Sequence, residues 1–289
     1  MPDVGGVTHR WVDVRGLRVH VAEAGAGEPL VLLHGWPQTW FCWRRVVPML
    51  ADRYRLIMPD LRGHGWSDAS RNGYDKQQLA TDLLDLVEVL DLGTVGLVGH
   101  DWGGWTGFLA CLRAPERFRA FVALSIVHPF QRPTVGKAMQ TWRGAYQLAL
   151  STPVVAAAAL RTSPQLVASA IRAASVRTAA FTSEDLHLYG AILQQPDRAR
   201  ATVQLYRTFV LREVVALGRY RRQRLVVPTR LLVGEHDPIA SPALLDGWQN
   251  NAVRMTVERL PDVGHFLPEE APAEVVDAIE VMFGSGVPG

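Results

Sequence analysis

Cysteine is nearly absent from the chain, and so are long apolar runs and any large excess of charge. Cys42 and Cys111 are the two cysteines present. Each falls in a patterned apolar segment and reads as a small core residue in a reducing compartment, which excludes a disulfide framework. The formal net charge of +2 is too small to suggest a nucleic-acid partner. The local basic run Arg219-Tyr-Arg-Arg-Gln-Arg224 reads as a solvated helix end or linker in preference to a phosphate site. The most apolar segment, Thr152 to Ala159, is far shorter than the ~20 residues a membrane span needs. The first ten residues carry no charged region followed by an apolar stretch, so no signal peptide is visible and a cytoplasmic protein is expected. The nine histidines include no H-E-x-x-H and no paired ligand spacing, so no metal site is expected.

What is present is a pattern of alternating elements. A chain of 289 residues can bury a large core, as one domain with an insertion or as two domains. Thr8 to Val14 and Leu17 to Ala22 alternate in polarity around Arg15-Gly16 and predict an antiparallel hairpin. Leu30 to Leu33, Tyr54 to Met58 and Thr94 to Val98 are short apolar runs of the kind buried on both faces of a sheet. Helical patterns near Gln38 to Leu50 and over Lys76 to Leu92 separate them. In the second, Leu79, Leu83, Leu86, Val87 and Leu90 form one stripe. Phe118 to Leu124 predicts another strand, after which the alternation stops. Residues ~130 to ~222 are Ala-rich with helical periodicity and no strand-like run, with boundaries good to a few residues. Alternation resumes with strands at Thr229 to Val233 and Val253 to Leu260, and helices at Pro242 to Asn250 and Pro272 to Phe283. The tail Gly284 to Gly289 reads as frayed. This order predicts an α/β fold: a mostly parallel sheet flanked by helices, with an inserted α-helical cap. The expected division is a core over 1–129, a cap over 130–222 and the rest of the core over 223–289.

Four sites follow predicted strands and converge on one edge of the sheet, where α/β folds place their ligands. Val98-Gly99-His100-Asp101-Trp102-Gly103-Gly104 has the strand–sharp turn–helix pattern of a nucleophile elbow, with aspartate at the tip in place of serine. A carboxylate there can attack a saturated carbon and form an ester on the enzyme. His34-Gly35-Trp36-Pro37 follows the Leu30 to Leu33 strand, and the backbone N–H groups of Trp36 and Trp102 could form an oxyanion hole. Gly234-Glu235-His236-Asp237-Pro238 supplies an acid, with the turn-forming Asp237-Pro238 favoured over Glu235. Val263-Gly264-His265-Phe266 supplies a base. The order Asp101, Asp237, His265 is the nucleophile–acid–base order of an α/β hydrolase. His34 and His100 sit beside motif glycines and read as loop-shaping residues.

On these motifs the chain resembles an epoxide hydrolase of the α/β-hydrolase superfamily over nearly its whole length. Asp60-Leu-Arg-Gly-His-Gly65 is similar to the superfamily's D-x-R-G-x-G loop. The resemblance implies an eight-stranded sheet and two cap tyrosines that hold the epoxide oxygen. Tyr146 and Tyr206 fit those positions in local context, with Tyr189 in reserve. It also implies a substrate pocket drawn from His34, Trp36, Pro37, Trp102, Tyr189 and Phe266, and a reaction without cofactor. The expected partners are a small apolar epoxide and water, and the expected state is a monomer or homodimer. A haloalkane dehalogenase would use the same Asp–His–Asp triad, with Trp102 donating its indole N–H to the halide. A non-catalytic ligand-binding protein on the same fold is the remoter alternative.

Overall fold

The computed structural model describes residues 1–131, 145–240 and 242–284. The 130–222 block lies partly outside the described residues, and residues 285–289 of the tail lie wholly outside them.

Eight strands form one sheet in the order β1-β2-β4-β3-β5-β6-β7-β8. β1 (Val7–Val14) and β2 (Leu17–Ala24) make the predicted hairpin. Arg15 and Gly16 both take positive φ at its turn. β2 is antiparallel to β4, and all later pairings are parallel. β3 (Glu28–Leu33) and β4 (Tyr54–Pro59) are apolar runs buried over most of their length. The helix α1 (Lys76–Val89) starts at Asp75, whose side chain accepts from the Gln78 N–H, and it buries Leu79, Leu83, Leu86 and Val87 along one stripe. β5 (Val95–His100) is buried at every residue and feeds α2 (Trp102–Arg113). β6 (Phe118–Leu124) follows.

Between β6 and β7 the described chain is helical. It contains α3 (Ala145–Leu150), α4 (Pro153–Thr162), α5 (Pro164–Ala174), α6 (Ser183–Leu193) and α7 (Pro196–Thr208). A π-helical turn, Phe209–Glu213, and a 3-10 segment, Leu217–Arg222, close it. α4 packs on α7 and α5 on α6. The core resumes with β7 (Thr229–Gly234) and β8 (Met255–Leu260), and α8 (Pro272–Phe283) ends it. No described helix is long and apolar enough by itself to cross a membrane.

Two predicted helices are shorter than their patterns suggested. Over 38–50 the chain makes a 3-10 turn, Trp40–Trp43, and a separate single turn, Val47–Leu50. Pro48 has no N–H to donate and is tolerated only at a helix start, so one helix cannot run through it. Trp40, Phe41, Cys42 and Trp43 are all buried, so this turn has no polar face to set a helical stripe. The helix expected over 242–250 spans Pro242–Leu245 alone, and Gly247 follows with φ of +93°.

Candidate active site

The elbow follows from close packing of small residues. A Cβ on Gly99 would lie 2.5 Å from the Gly103 carbonyl oxygen, and one on Gly103 would lie 2.4 Å from the Leu33 carbonyl oxygen. These approaches let β5 turn at once into α2. Asp101 at the tip has φ of 49° and ψ of −119°, a region costing of order 1–3 kcal/mol for a side-chain-bearing residue. The turn lifts its carboxylate clear of the sheet.

Two loops reach that carboxylate. The Trp36 backbone N–H donates to Asp101 Oδ2 at 2.9 Å, and the nearby Trp102 backbone N–H also favours the carboxylate charge. Gly35 is required at the first loop, because a Cβ there would lie 2.4 Å from Asp101 Cβ. On the other side, His265 Nε2 stands 4.0 Å from Asp101 Oδ1. That is too far for a direct hydrogen bond. His265 Nδ1 pairs with Asp237 Oδ2 at 3.0 Å. The other Asp237 oxygen accepts from the Ile239 and Ala240 N–H groups at 2.7 and 3.1 Å. Glu235, the alternative acid, is exposed.

Burial pushes the Asp101 carboxyl up to about 6, against the opposing pull of His265 and the two N–H donors. Burial works against the His265 imidazolium, but the Asp237 carboxylate outweighs it and the net shift is upward. Tyr146 on α3 and Tyr206 on α7 face each other with ring centroids 5.9 Å apart. Tyr206 also meets the rings of Trp36 and Trp102 edge-on at 5.6 and 5.5 Å. Both phenols are shifted up by burial, with the Asp101 charge adding to the effect.

These groups border a cavity of about 500 Å³ between the core and the helices. Trp36, Pro37, Asp101, Tyr146, Tyr206, His265 and Phe266 line it. Most of the remaining wall comes from Ala, Val and Leu side chains of α3, α4 and α5. Three residues expected at the pocket are not in its wall. His34 accepts from the Leu61 N–H and bonds the Gly35 carbonyl, so both ring nitrogens are spent on loop structure. Tyr189 is fully buried and donates to Glu269 Oε1 at 3.0 Å. The Trp102 ring lies behind Tyr206, against Phe209 and the Lys76 ammonium. His100 donates to the His265 carbonyl at 2.9 Å.

Two supporting groups escaped the sequence reading. Glu270 is buried and accepts four backbone N–H bonds, from Val176, Arg177, Gly264 and Phe266 at 2.8 to 3.0 Å. It thereby fixes the loop on either side of His265. Glu269, next to it, joins Arg44, Gln38 and Tyr189 in a buried network, and Arg44 continues to Asp185 on α6. Neither acid stands in a motif that announces a role. Among the described residues no His, Cys, Asp and Glu cluster is arranged to hold a metal ion.

The fold and the elbow define a hydrolase, and residues 28–272 match the family model for the alpha/beta hydrolase fold. The chain belongs to that family. Its relatives include the soluble epoxide hydrolase of Corynebacterium sp. (strain C12), 31% identical over 96% of this chain and 97% of that protein. Among solved structures, the epoxide hydrolase CorEH without ligand is 30% identical, with a TM-score of 0.77, covering 96% of this chain and 98% of that one. Cfl2 from Burkholderia cenocepacia superposes with a TM-score of 0.85 at 28% identity, covering 98% of each chain.

Proposed function

We propose that the chain is an epoxide hydrolase that works through an ester on Asp101. The observation that carries this reading is the Tyr146–Tyr206 pair bordering the same apolar cavity as the Asp101 carboxylate. An epoxide carbon is a poor electrophile unless its oxygen is offered a proton as the C–O bond breaks. Phenols shifted upward stay protonated at neutral pH and can donate it. The similarity to the Corynebacterium enzyme points the same way.

In the first half-reaction an Asp101 oxygen attacks one ring carbon, the C–O bond opens, and a tyrosine hydroxyl protonates the departing oxygen. In the second, His265 Nε2 takes a proton from water. The gap of 4.0 Å to Asp101 leaves room for such a water beside the ester carbonyl. The resulting hydroxide adds to that carbonyl, and the N–H groups of Trp36 and Trp102 bind the oxyanion. Asp237 stabilises the imidazolium. Collapse breaks the ester C–O bond, and the proton on the former water oxygen passes to the departing alkoxide to give the vicinal diol and the Asp101 carboxylate. The proton held by His265 returns to the tyrosinate left by ring opening.

Haloalkane dehalogenation is the second reading. The indole Nε1 of Trp36 is buried without a hydrogen-bond partner among the described residues, and such a donor suits a departing halide, whereas the Trp102 indole interacts with the Tyr206 hydroxyl. Trp36 lines the cavity but Trp102 does not, which weakens a paired halide cradle. Incubation with styrene oxide and with a 1-haloalkane, assayed for diol and for free halide, separates the readings. Diol without halide supports the proposal, and halide without diol overturns it. Binding of either compound with no turnover makes the chain a ligand-binding protein.

A further inference from the structure

Lys76 is a fully buried cation that the reaction above does not use. It is the first residue of α1, where the helix dipole disfavours positive charge, and burial of an ammonium is costly unless it is paired. Its partners lie on α7, on the π-helical turn that follows α7, and at Trp102, the residue after the nucleophile. The ammonium donates to the Leu205 carbonyl, one residue before Tyr206 near the C-terminal end of α7. There the dipole of α7 favours it. It stands 3.5 Å from a Glu213 carboxylate oxygen in the π-helical turn. The Trp102 ring centroid is 4.5 Å from Nζ and that of Phe209 is 5.2 Å away. The Lys76 backbone N–H meets both Glu213 oxygens at 3.3 Å. Asp75 and Asp101 are the other acids whose charge reaches it.

We propose that Lys76 is a positioning residue: its ammonium ties the helix that carries Tyr206 to the residue that follows the nucleophile. One charged group thereby sets the distance between the proton donor and Asp101, and ring opening depends on it more than ester hydrolysis does. The inference rests on the epoxide hydrolase reading. Burial pushes the Lys76 ammonium down to about 8, against the pull of Glu213. Loss of its proton removes the attraction to Glu213 and to the Trp102 face and leaves one amine hydrogen bond to hold α7. Tyr146 and Tyr206 are shifted upward, so neither supplies an alkaline limb in this range.

The test is single-turnover kinetics on styrene oxide, followed by tryptophan fluorescence, for the wild type, Lys76→Arg and Lys76→Met. In the wild type, ring opening is expected to fall about tenfold between pH 7.5 and 9.5. In Lys76→Arg that limb moves above pH 10, because guanidinium stays charged. In Lys76→Met, ring opening at pH 7 slows by about tenfold or more and loses the limb, while ester hydrolysis stays within about threefold. Equal slowing of both steps in Lys76→Met, or an unchanged alkaline limb in either variant, overturns the proposal. If Lys76→Met does not fold, the limb in Lys76→Arg decides. If the wild type opens no epoxide, the hydrolase reading fails separately. Lys76 is then judged by a substrate-free tryptophan titration: a transition near pH 8 that Lys76→Arg abolishes supports the tether, and its absence overturns it.

Discussion

His265 is held by Asp237 at 3.0 Å through Nδ1 while its Nε2 faces Asp101 at 4.0 Å. One imidazole is thus anchored on an acid and aimed at the carboxylate without touching it. A base so placed serves a water molecule better than it serves the aspartate itself, which divides the labour of the site into two separable steps.

Replacing His265 by Gln should leave ring opening intact and stall the second step. Intact-protein mass spectrometry after styrene oxide should show one added substrate mass on nearly every chain. Normal turnover by this variant would remove His265 from the role of base.

Tyr146→Phe and Tyr206→Phe should each slow ring opening, with the double substitution far slower than either. General-acid assistance is worth about 10²–10⁴-fold, so the double variant should lose a factor in that range. Stopped-flow rates of ester formation measure this. If both single variants kept wild-type rates, the proton donor would lie elsewhere.

The pH dependence has a definite sign for each step. Ring opening needs the Asp101 carboxylate, whose titration stands at about 6. Its rate should therefore fall as pH drops below that value, approaching tenfold per unit. Ester hydrolysis needs neutral His265, whose titration is raised chiefly by Asp237 and further by Asp101. Esterification cancels the Asp101 charge, so His265 should titrate lower in the ester than in the free protein. Separate single-turnover profiles of the two steps test both statements. A flat ring-opening profile from pH 5 to 8 contradicts the first.

Glu270→Gln should destabilise the fold and disturb the second step. The amide has one acceptor oxygen for four N–H donors. A buried donor left unpaired costs about 1–3 kcal/mol, so a loss of at least about 2 kcal/mol is expected in urea unfolding. Ester hydrolysis should slow more than ring opening, because the clamp holds the His265 loop. Unchanged stability would show that these bonds matter little.

The sheet was legible because its apolar runs are short, separated by helical stripes and ended by glycine-rich turns. The elbow was legible because Gly99, Gly103 and Gly104 bracket Asp101 at a spacing that close packing demands. The chain between Gln38 and Leu50 misled because its aromatic residues are buried on every side, so polarity does not report its period. His34 and Trp102 were expected in the cavity wall because they flank motif residues, but adjacency in sequence does not decide which way a ring points. Tyr189 stands on the helical region with a free-looking hydroxyl, and only the fold brings Glu269 from 80 residues away to accept from it. Lys76 and Glu213 lie 137 residues apart in segments that read separately as ordinary helix.

Ester formation on Asp101 is the step on which both half-reactions depend. A single turnover of styrene oxide with excess protein in ¹⁸O-water should give an initially unlabelled diol and place the label in the Asp101 carboxylate, read by peptide mass spectrometry. Label in the first diol formed, with none retained in Asp101, would mean that water attacks the epoxide directly and would contradict it.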